Sequence, residues 1–185
     1  MTDKPEYLLI SERLGFRNWA ESDKHPFALM NANANVMRHF PAILDQQSSD
    51  ELVDILGKHF DHFGFTYFAV DELSSGRFIG FIGLKKQSFE YKFTPFFDIG
   101  WRLAPEFWGK GYATEGAITC LQYGFEVLKL PEIYAVASHL NVESINVMKK
   151  IGMKLIDHFI HPAIDEDSAL QPCHCYKISS PQSVS

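Results

Sequence analysis

The stretch of sequence that decides the fold runs from residue 98 to residue 116 and reads DIGWRLAPEFWGKGYATEG. A strand is predicted up to Pro105, where proline ends regular pairing. Gly109 and Gly111 lie in the short loop that follows, directly before a helix. Glycines allow such a loop to turn tightly and to expose its amide N–H groups, and the positive end of the helix dipole adds to their field. The stretch therefore predicts a phosphate-binding cradle between a strand and a helix.

Two familiar phosphate motifs do not fit this loop. A Walker A loop needs Ser or Thr after Gly-Lys, whereas Gly111 follows Lys110. A Rossmann fingerprint that starts at Gly109 needs Gly or Ala at the position of Thr114. Taken alone, the two glycines are equally compatible with a helix entry that only needs flexible residues.

Outward from the loop, hydrophobic periodicity predicts a meander of strands that becomes strand–helix–strand. Strands are predicted at residues 8–19, 66–71, 78–84, 96–103, 133–138, 153–160 and 173–178. Helices are predicted after a cap at residues 22–23, at 35–40, after a capping box at 48–51, and at about 109–128 and 141–151. This order indicates an α/β (α+β) fold with a mixed central sheet of about seven strands flanked by helices. With 185 residues against roughly 150 per domain, one domain is expected.

Composition excludes several classes of protein. Hydrophobic residues make up 46% and charged residues 22% of the chain, which excludes disorder, collagen and coiled coil. The net charge of −6 argues against nucleic-acid binding, which needs clustered Lys and Arg. The N-terminal sequence lacks a signal-peptide pattern, and no apolar run is long enough to span a membrane. A cytoplasmic protein with no membrane or nucleic-acid partner is predicted.

Three cysteines, Cys120, Cys173 and Cys175, cannot all pair with one another. Cys173-His174-Cys175 resembles half of a metal site, but zinc takes four ligands and no second Cys/His pair has a suitable spacing. In a strand the two thiols face one way and His174 the other. We therefore predict no metal.

The loop and its flanks resemble motif A of the GNAT superfamily of acyl-CoA N-acyltransferases, whose pattern is Gln/Arg-x-x-Gly-x-Gly/Ala. Residues 103–115 are especially similar to the branch that acetylates N-terminal residues of ribosomal proteins. Residues 11–17, SERLGFR, resemble the first strand of that branch. Residues 141–153 resemble motif B, the helix beside the pantetheine arm. The resemblance implies one GNAT-fold domain over residues 7–179. The residues that follow, 180–185, are expected from their composition to form a disordered tail.

The resemblance further implies acetyl-CoA as co-substrate. The backbone amides of residues 108–113 would bind the pyrophosphate, and strand residues 101–103 would pair with the pantetheine amides. An N–H group near Leu103 would polarise the thioester carbonyl. Lys110 would add charge near the phosphates or simply be solvated, and Asn141 would contact the cofactor or only cap its helix. The implied cofactor-binding residues are Trp101, Arg102, Leu103, Trp108, Gly109, Lys110, Gly111, Tyr112, Ala113 and Asn141.

The catalytic candidates are Asp98 and Ser144. Glu106 stands in the Gln/Arg slot of motif A, a departure that backbone binding tolerates. Met148 stands where many GNAT enzymes have a tyrosine that protonates the leaving thiolate, so Ser144 is the alternative acid, or else an ordinary helix residue. Asp98 lies at an acidic position of the cofactor-binding strand and is the candidate base, directly or through water, or else a partnered strand carboxylate.

Other polar residues are weaker candidates for the acceptor end of the site. They are Glu90, the acidic loop residues Asp165, Glu166 and Asp167, and the C-terminal pairs His161-Pro162 and His174-x-Tyr176. A solvated loop or a core position explains them equally well.

Taken together, the sequence predicts transfer of acetyl from acetyl-CoA to a primary amine by direct attack in a ternary complex. The ribosomal-protein resemblance implies a protein N-terminus as acceptor. A small amine (polyamine, aminoglycoside or amino acid) and a non-catalytic acyl-CoA sensor are the alternatives. A monomer or homodimer is expected.

Overall fold

The computed structural model describes residues 6–181. The strands are β1 (Leu9–Ile10), β2 (Leu14–Arg17), β3 (Tyr67–Glu72), β4 (Arg77–Gln87), β5 (Phe96–Leu103), β6 (Glu132–Ser138), β7 (Lys154–Ile160) and β8 (Pro172–Ser179). The helices are α1 (Lys24–Asn31), α2 (Ala34–Met37), α3 (Gln46–Phe63), α4 (Tyr112–Glu126) and α5 (Val142–Lys150). The strands form one mixed sheet in the order β1-β2-β3-β4-β5-β6-β8-β7.

The sheet opens between β5 and β6. These two strands are parallel, and within the described residues they pair only at Asp98 and Tyr134. Beyond that point the strands diverge, so Trp101 and Leu103 pair with β4 alone, opposite Ile82 and Gly80. The later half of β5 therefore presents a free edge to the gap.

Helices cover both faces of the sheet. Ile82 of β4 packs in the larger core with buried side chains of α4 and α5. Its neighbour Phe81 packs in a second core with α1, α2 and α3. Successive strand residues point to opposite faces, and Arg102 lies opposite Phe81 across the β4–β5 pair. Asp98, Gly100 and Arg102 consequently share the face that α1, α2 and α3 cover.

The strand count is eight rather than the expected seven or so. The predicted strand at residues 8–19 is a short hairpin, because Ser11 turns the chain. Its backbone N–H donates to the carbonyl of Leu14 at 2.9 Å, and its hydroxyl accepts from the N–H of Leu14 at 3.1 Å. β1 and β2 therefore pair with each other.

Two helix starts also differ from the predictions. Helix α3 is capped by Asp45, whose Oδ1 accepts from the N–H of Ser48 at 2.8 Å, rather than by Ser48 itself. Helix α4 begins at Tyr112 rather than near residue 109, because Gly109 and Gly111 have φ of 72° and 83°.

The buried face of α4 consists largely of small residues. Ala117 and Leu121 face the core together with Gly116, Cys120 and Gly124, whereas Ile118 is 43% exposed. A Cβ atom on Gly116 would lie 2.3 Å from Cδ1 of Ile82, so a larger residue here would require the Ile82 side chain to move.

The C-terminal segment follows the strand alternation that was predicted. Cys173 and Cys175 are buried on β8, and His174 packs against His158 on the other side. Burial raises the pKa of both thiols to about 11. Within residues 6–181 no group of His, Cys, Asp and Glu side chains is arranged to hold a metal ion. Of the predicted tail, residues 182–185 lie outside the described residues.

None of the helices in the described part of the chain combines the length and apolar character that crossing a membrane would require.

Candidate active site

A cavity of about 640 Å³ lies where β5 and β6 separate. Its walls come from β5, the loop before α4, α5, and the segment from α2 to α3. It brings together nearly all the predicted site residues: Asp98, Trp101, Arg102, Leu103, Trp108, Gly109, Gly111, Tyr112, Ala113, Asn141 and Ser144. Lys110 is the exception. It is exposed, and its Nζ lies 5.0 Å from the centre of the Phe107 ring.

The glycine loop forms a cradle that opens onto free space. A Cβ atom added to Gly109 would meet nothing within 4 Å, and one on Gly111 would meet only Nη2 of Arg13, at 3.6 Å. Both glycines have positive φ and line the cavity beside the N-terminus of α4, where a loop of this kind can present its amides to an anion. This arrangement fits the pyrophosphate of coenzyme A.

Arg13 holds the cradle in place. Its Nη1 donates to the carbonyl oxygen of Lys110 at 3.0 Å, and its Nε donates to Glu115 at 2.7 Å. The hydroxyl of Ser11 donates to the same carboxylate at 2.6 Å. The hairpin at the start of the chain therefore fixes both the loop and the first turn of α4.

The free edge of β5 continues from the cradle into the cavity. Trp108 closes the loop against the strand, since its indole N–H donates to the carbonyl of Leu103 at 2.7 Å. The edge at Trp101–Leu103 has the length and the exposed main chain to pair with an extended amide-containing chain, as the pantetheine arm would require.

Asp98 lies at the point where the strands part and is held by two side chains. The phenol of Tyr67 lies 2.8 Å from both carboxylate oxygens, and the amide of Gln87 donates to Oδ2 at 3.1 Å. Burial raises the pKa of Asp98 to about 6, against the opposing effect of these hydrogen bonds. Burial also raises the pKa of Tyr67 well above its usual value, so the phenol is a donor at neutral pH.

The absence of a side chain at Gly100 allows Tyr67 to reach Asp98. The Tyr67 ring crosses β5 above Gly100, where an added Cβ atom would lie 3.0 Å from Cζ of the ring. The ring also stacks on Phe81, with centroids 5.1 Å apart. A side chain at position 100 would push the ring away from the carboxylate.

Ser144 lies on the first turn of α5. Asn141 caps this helix, since its Oδ1 accepts from the backbone N–H of Ser144 at 3.1 Å. Ser144 lines the cavity, and its hydroxyl makes no hydrogen bond with any residue in the range 6–181. Met148, one turn later, is 2% exposed and also lines the cavity. The geometry thus leaves one free hydroxyl on this wall.

The structure does not bring the weaker acceptor candidates to the cavity. Glu90 and residues 165–167 are exposed and do not line it. His161 stacks on Phe89, with centroids 4.7 Å apart, and His174 packs on His158.

Four further side chains line the cavity: Arg38, His39, Tyr67 and that of Arg102. Arg38 and His39 belong to residues 31–47, which together with residues 90–97 are predicted from the sequence to form the acceptor half of the site. Tyr67 and the side chain of Arg102 were missed. For Tyr67 and Arg102 the alternation within β3 and β5 could have shown a shared face, had the register of the strands been known.

A sheet that opens beside a glycine cradle, with a buried carboxylate at the fork, defines an acyl-CoA-dependent transferase. Residues 13–154 match the family model of the acetyltransferase (GNAT) domain, and the chain belongs to the GNAT acetyltransferase family. It is an acyltransferase whose co-substrate is acetyl-CoA.

Two distant relatives and one solved structure match most of the chain. The chain is 29% identical over 146 residues to the uncharacterized protein YkkB of Bacillus subtilis, covering 78% of this chain and 84% of that protein. It is 28% identical over 132 residues to spermidine N(1)-acetyltransferase of Escherichia coli, covering 71% and 68%. An acetyltransferase of the GNAT family from Bacillus anthracis superposes with a TM-score of 0.77 at 25% identity, covering 92% of this chain and 97% of that one.

Proposed function

We propose that this protein transfers the acetyl group of acetyl-CoA to a primary amine by direct attack within a ternary complex. The observation that carries the proposal is the position of Asp98, a buried carboxylate at the fork between β5 and β6, on the wall of the cavity that also contains the cradle. No covalent enzyme intermediate is required, because a thioester is already activated.

Asp98 accepts the proton of the attacking amine in this proposal. A general base works best when its pKa is near the working pH, and the pKa of Asp98 is about 6. The carboxylate is thus ionised at neutral pH and still basic enough to take a proton. Tyr67 keeps it oriented, and the proton passes to Asp98 directly or through a water molecule.

The cradle and the free edge of β5 hold the donor. The amides of residues 109–113 bind the pyrophosphate, whereas that of Trp108, which the sequence had included, donates to the carbonyl of Pro105 at 3.1 Å. A backbone N–H near Leu103 polarises the thioester carbonyl. Asn141 supports this wall as the cap of α5, and Lys110 adds positive charge at its rim. The Ser144 hydroxyl protonates the departing thiolate and takes a proton from water in the same step, a relay that Met148 cannot perform.

The acceptor is a small primary amine. The acceptor end of the cavity lies beneath α2 and α3, where Phe40, Leu52 and Ile55 form an apolar wall. A relative named spermidine N(1)-acetyltransferase supports a small amine as acceptor. A protein N-terminus is the second candidate, supported by the similarity of residues 103–115 to the ribosomal-protein branch.

The three cysteines of the described chain are unpaired, which supports the cytoplasm as the place of reaction.

One experiment tests the proposal. The purified protein is incubated with acetyl-CoA and a panel of amino acids, polyamines, aminoglycosides and short peptides, and thiol release is followed with mass spectrometry of the products. We expect acetylation of at least one small amine, with one thiol released per acetyl transferred. A protein that binds acetyl-CoA and acetylates none of them is a sensor. Acetylation of peptides alone makes the protein an N-terminal acetyltransferase.

A further inference from the structure

Arg102 is the one arginine without a carboxylate partner among residues 6–181, the range that holds all five arginines of the chain. The other four form ion pairs: Arg13 with Glu115, Arg17 with Asp23 and Asp71, Arg38 with Glu143, and Arg77 with Glu106. Arg102 instead lines the cavity. Arg38 lines the cavity as well, but it has Glu143 as its counter-ion, whereas Arg102 has none among the described residues, so the ligand is the remaining source of a counter-ion for Arg102.

Neutral groups hold the Arg102 guanidinium in place. Its Nη1 donates to Oδ1 of Asn31 at 2.7 Å, and its Cζ lies 4.0 Å from the centre of the Phe40 ring and 5.4 Å from that of Phe81. Nε is buried and makes no hydrogen bond, and Nη2 makes none with the described residues. The charged group is therefore oriented but not neutralised.

A buried cation without a counter-ion is energetically unfavourable, and this lowers the pKa of the group. Burial lowers the pKa of Arg102 to about 10, because the desolvated cation has no anion beside it. A bound carboxylate would restore the missing interaction through short, charge-assisted hydrogen bonds.

The other ionisable side chains of the lining supply no anion for Arg102. The basic ones are Arg38, His39, Lys85 and Lys150, and burial lowers the pKa of His39 below its usual value. The carboxylates in the lining are Asp98 and Glu143, and Glu143 already pairs with Arg38. Beyond the proposed base, the lining holds no free carboxylate for the second ammonium group of a polyamine.

We infer that the acceptor is a primary amine that also carries a carboxylate, and that Arg102 binds this carboxylate while Asp98 faces the amine. The two residues share one face of β5, four positions apart, with Tyr67 between them above Gly100. The apolar wall of Phe40, Leu52 and Ile55 would accommodate an apolar body, as in leucine, methionine or phenylalanine. The inference rests on the proposed function and names its substrate class.

Steady-state kinetics on matched acceptors test the inference. Leucine, methionine and phenylalanine are each compared with the corresponding amide, and spermidine is included as a polycation. We expect kcat/KM for at least one free acid to exceed that of its amide by about tenfold or more, because the amide lacks the charge-assisted hydrogen bond to Arg102. Equal values for acid and amide, or spermidine as the best acceptor, would overturn the inference.

The variant Arg102→Met separates binding from a structural role. It is expected to remove the preference for acid over amide while acetylation of the amide persists, and Arg102→Lys is expected to restore part of the preference. Arg77→Met is the matched control, because Arg77 is exposed and pairs with Glu106 away from the cavity. A preference that persists in Arg102→Met contradicts the assignment.

Calorimetry with the N-acetylated products makes the test independent of turnover. In the presence of coenzyme A, N-acetyl-leucine is expected to bind the wild type more tightly than N-acetyl-leucinamide, and Arg102→Met is expected to abolish the difference. Binding of this kind without turnover of any amine would overturn the proposed function and leave the anion site standing. If amines are acetylated but neither assay distinguishes the free acid from the amide, the anion site is overturned and the proposed function stands.

Discussion

The phenol oxygen of Tyr67 lies 2.8 Å from both carboxylate oxygens of Asp98, so one hydroxyl on β3 orients a carboxylate on β5 across the intervening strand. The contact depends on Gly100, which leaves room for the ring above β5. It places the candidate base at the fork of the sheet in a fixed orientation, with its charged form stabilised by a neutral donor.

Replacing Tyr67 by Phe tests this relationship. The hydrogen bond from Tyr67 lowers the pKa of Asp98, so its removal raises that pKa further above about 6. The acid limb of the kcat/KM profile is expected to move to higher pH by roughly one unit, as the loss of a hydrogen bond to a charged group would produce. If the rate falls but the acid limb stays at the same pH, Tyr67 has a packing role only and does not affect the pKa of Asp98.

The Asp98→Asn variant tests the base itself. We expect kcat to fall by about 10²–10⁴-fold at neutral pH, the acid limb to flatten, and the rate to recover in part at high pH, where the amine loses its proton unaided. The affinity for acetyl-CoA is expected to stay unchanged in calorimetry, because the cradle is intact. A wild-type pH profile in this variant would show that a group other than Asp98 is the base.

The same variant is expected to change the pH dependence of stability. The pKa of Asp98 rises from 3.8 to about 6 on folding, so the wild type loses stability as the pH rises through this interval. Asn does not titrate. The free energy of unfolding of Asp98→Asn relative to wild type should therefore increase between about pH 4 and pH 7, by at most about 3 kcal/mol. Urea unfolding at both pH values measures it, and a constant difference would contradict the raised pKa.

Ser144→Ala tests the general acid. Removal of its hydroxyl is expected to lower kcat by about 10–100-fold, at the low end for an acid because a thiolate is already a fair leaving group. The Asn141 cap accepts from the backbone of Ser144, so the helix and the affinity for acetyl-CoA should be preserved. A variant that runs at the wild-type rate would show that the hydroxyl has no part in the reaction.

Gly111→Leu tests the cradle, and Gly64→Leu is its control. Both glycines have left-handed φ, 83° and 75°, so both substitutions strain the backbone by about 1–2 kcal/mol. Only position 111 projects into the cavity. Gly111→Leu is expected to weaken acetyl-CoA binding by about a hundredfold or more, equivalent to two amide–phosphate hydrogen bonds, while Gly64→Leu binds normally. Equal affinity of the two variants for acetyl-CoA would show that the glycine loop does not bind the cofactor.

The sequence is most informative where a structure is set by neighbours along the chain. The strand at residues 96–103 was predicted with both its ends, because apolar residues lead up to Pro105. Gly64 ends α3 with φ of 75°, as a glycine directly after a run of helical apolar spacing indicates. The glycine loop was recognisable for the same reason, since its chemistry lies within a few consecutive residues.

The acceptor end was not predictable in this way, because strand register decides it. Tyr67 and Arg102 are 35 positions apart in sequence and meet only through the pairing of β3, β4 and β5. Glycine at position 100 leaves room for the Tyr67 ring, and nothing local to this glycine indicates that a distant ring will cross it. The hairpin at Ser11 was missed because a hydroxyl contact, rather than a turn dipeptide, closes it.

The most direct test of the central claim is a single-turnover experiment with acetyl-CoA labelled in the acetyl group. Wild-type protein and Asp98→Asn are each mixed with the best amine of the panel, and both products are quantified. The account predicts one labelled N-acetyl amine per thiol released by the wild type, no label on the protein, and the same product formed far more slowly by the variant. Label retained on the protein, or an equal rate in Asp98→Asn, would contradict it.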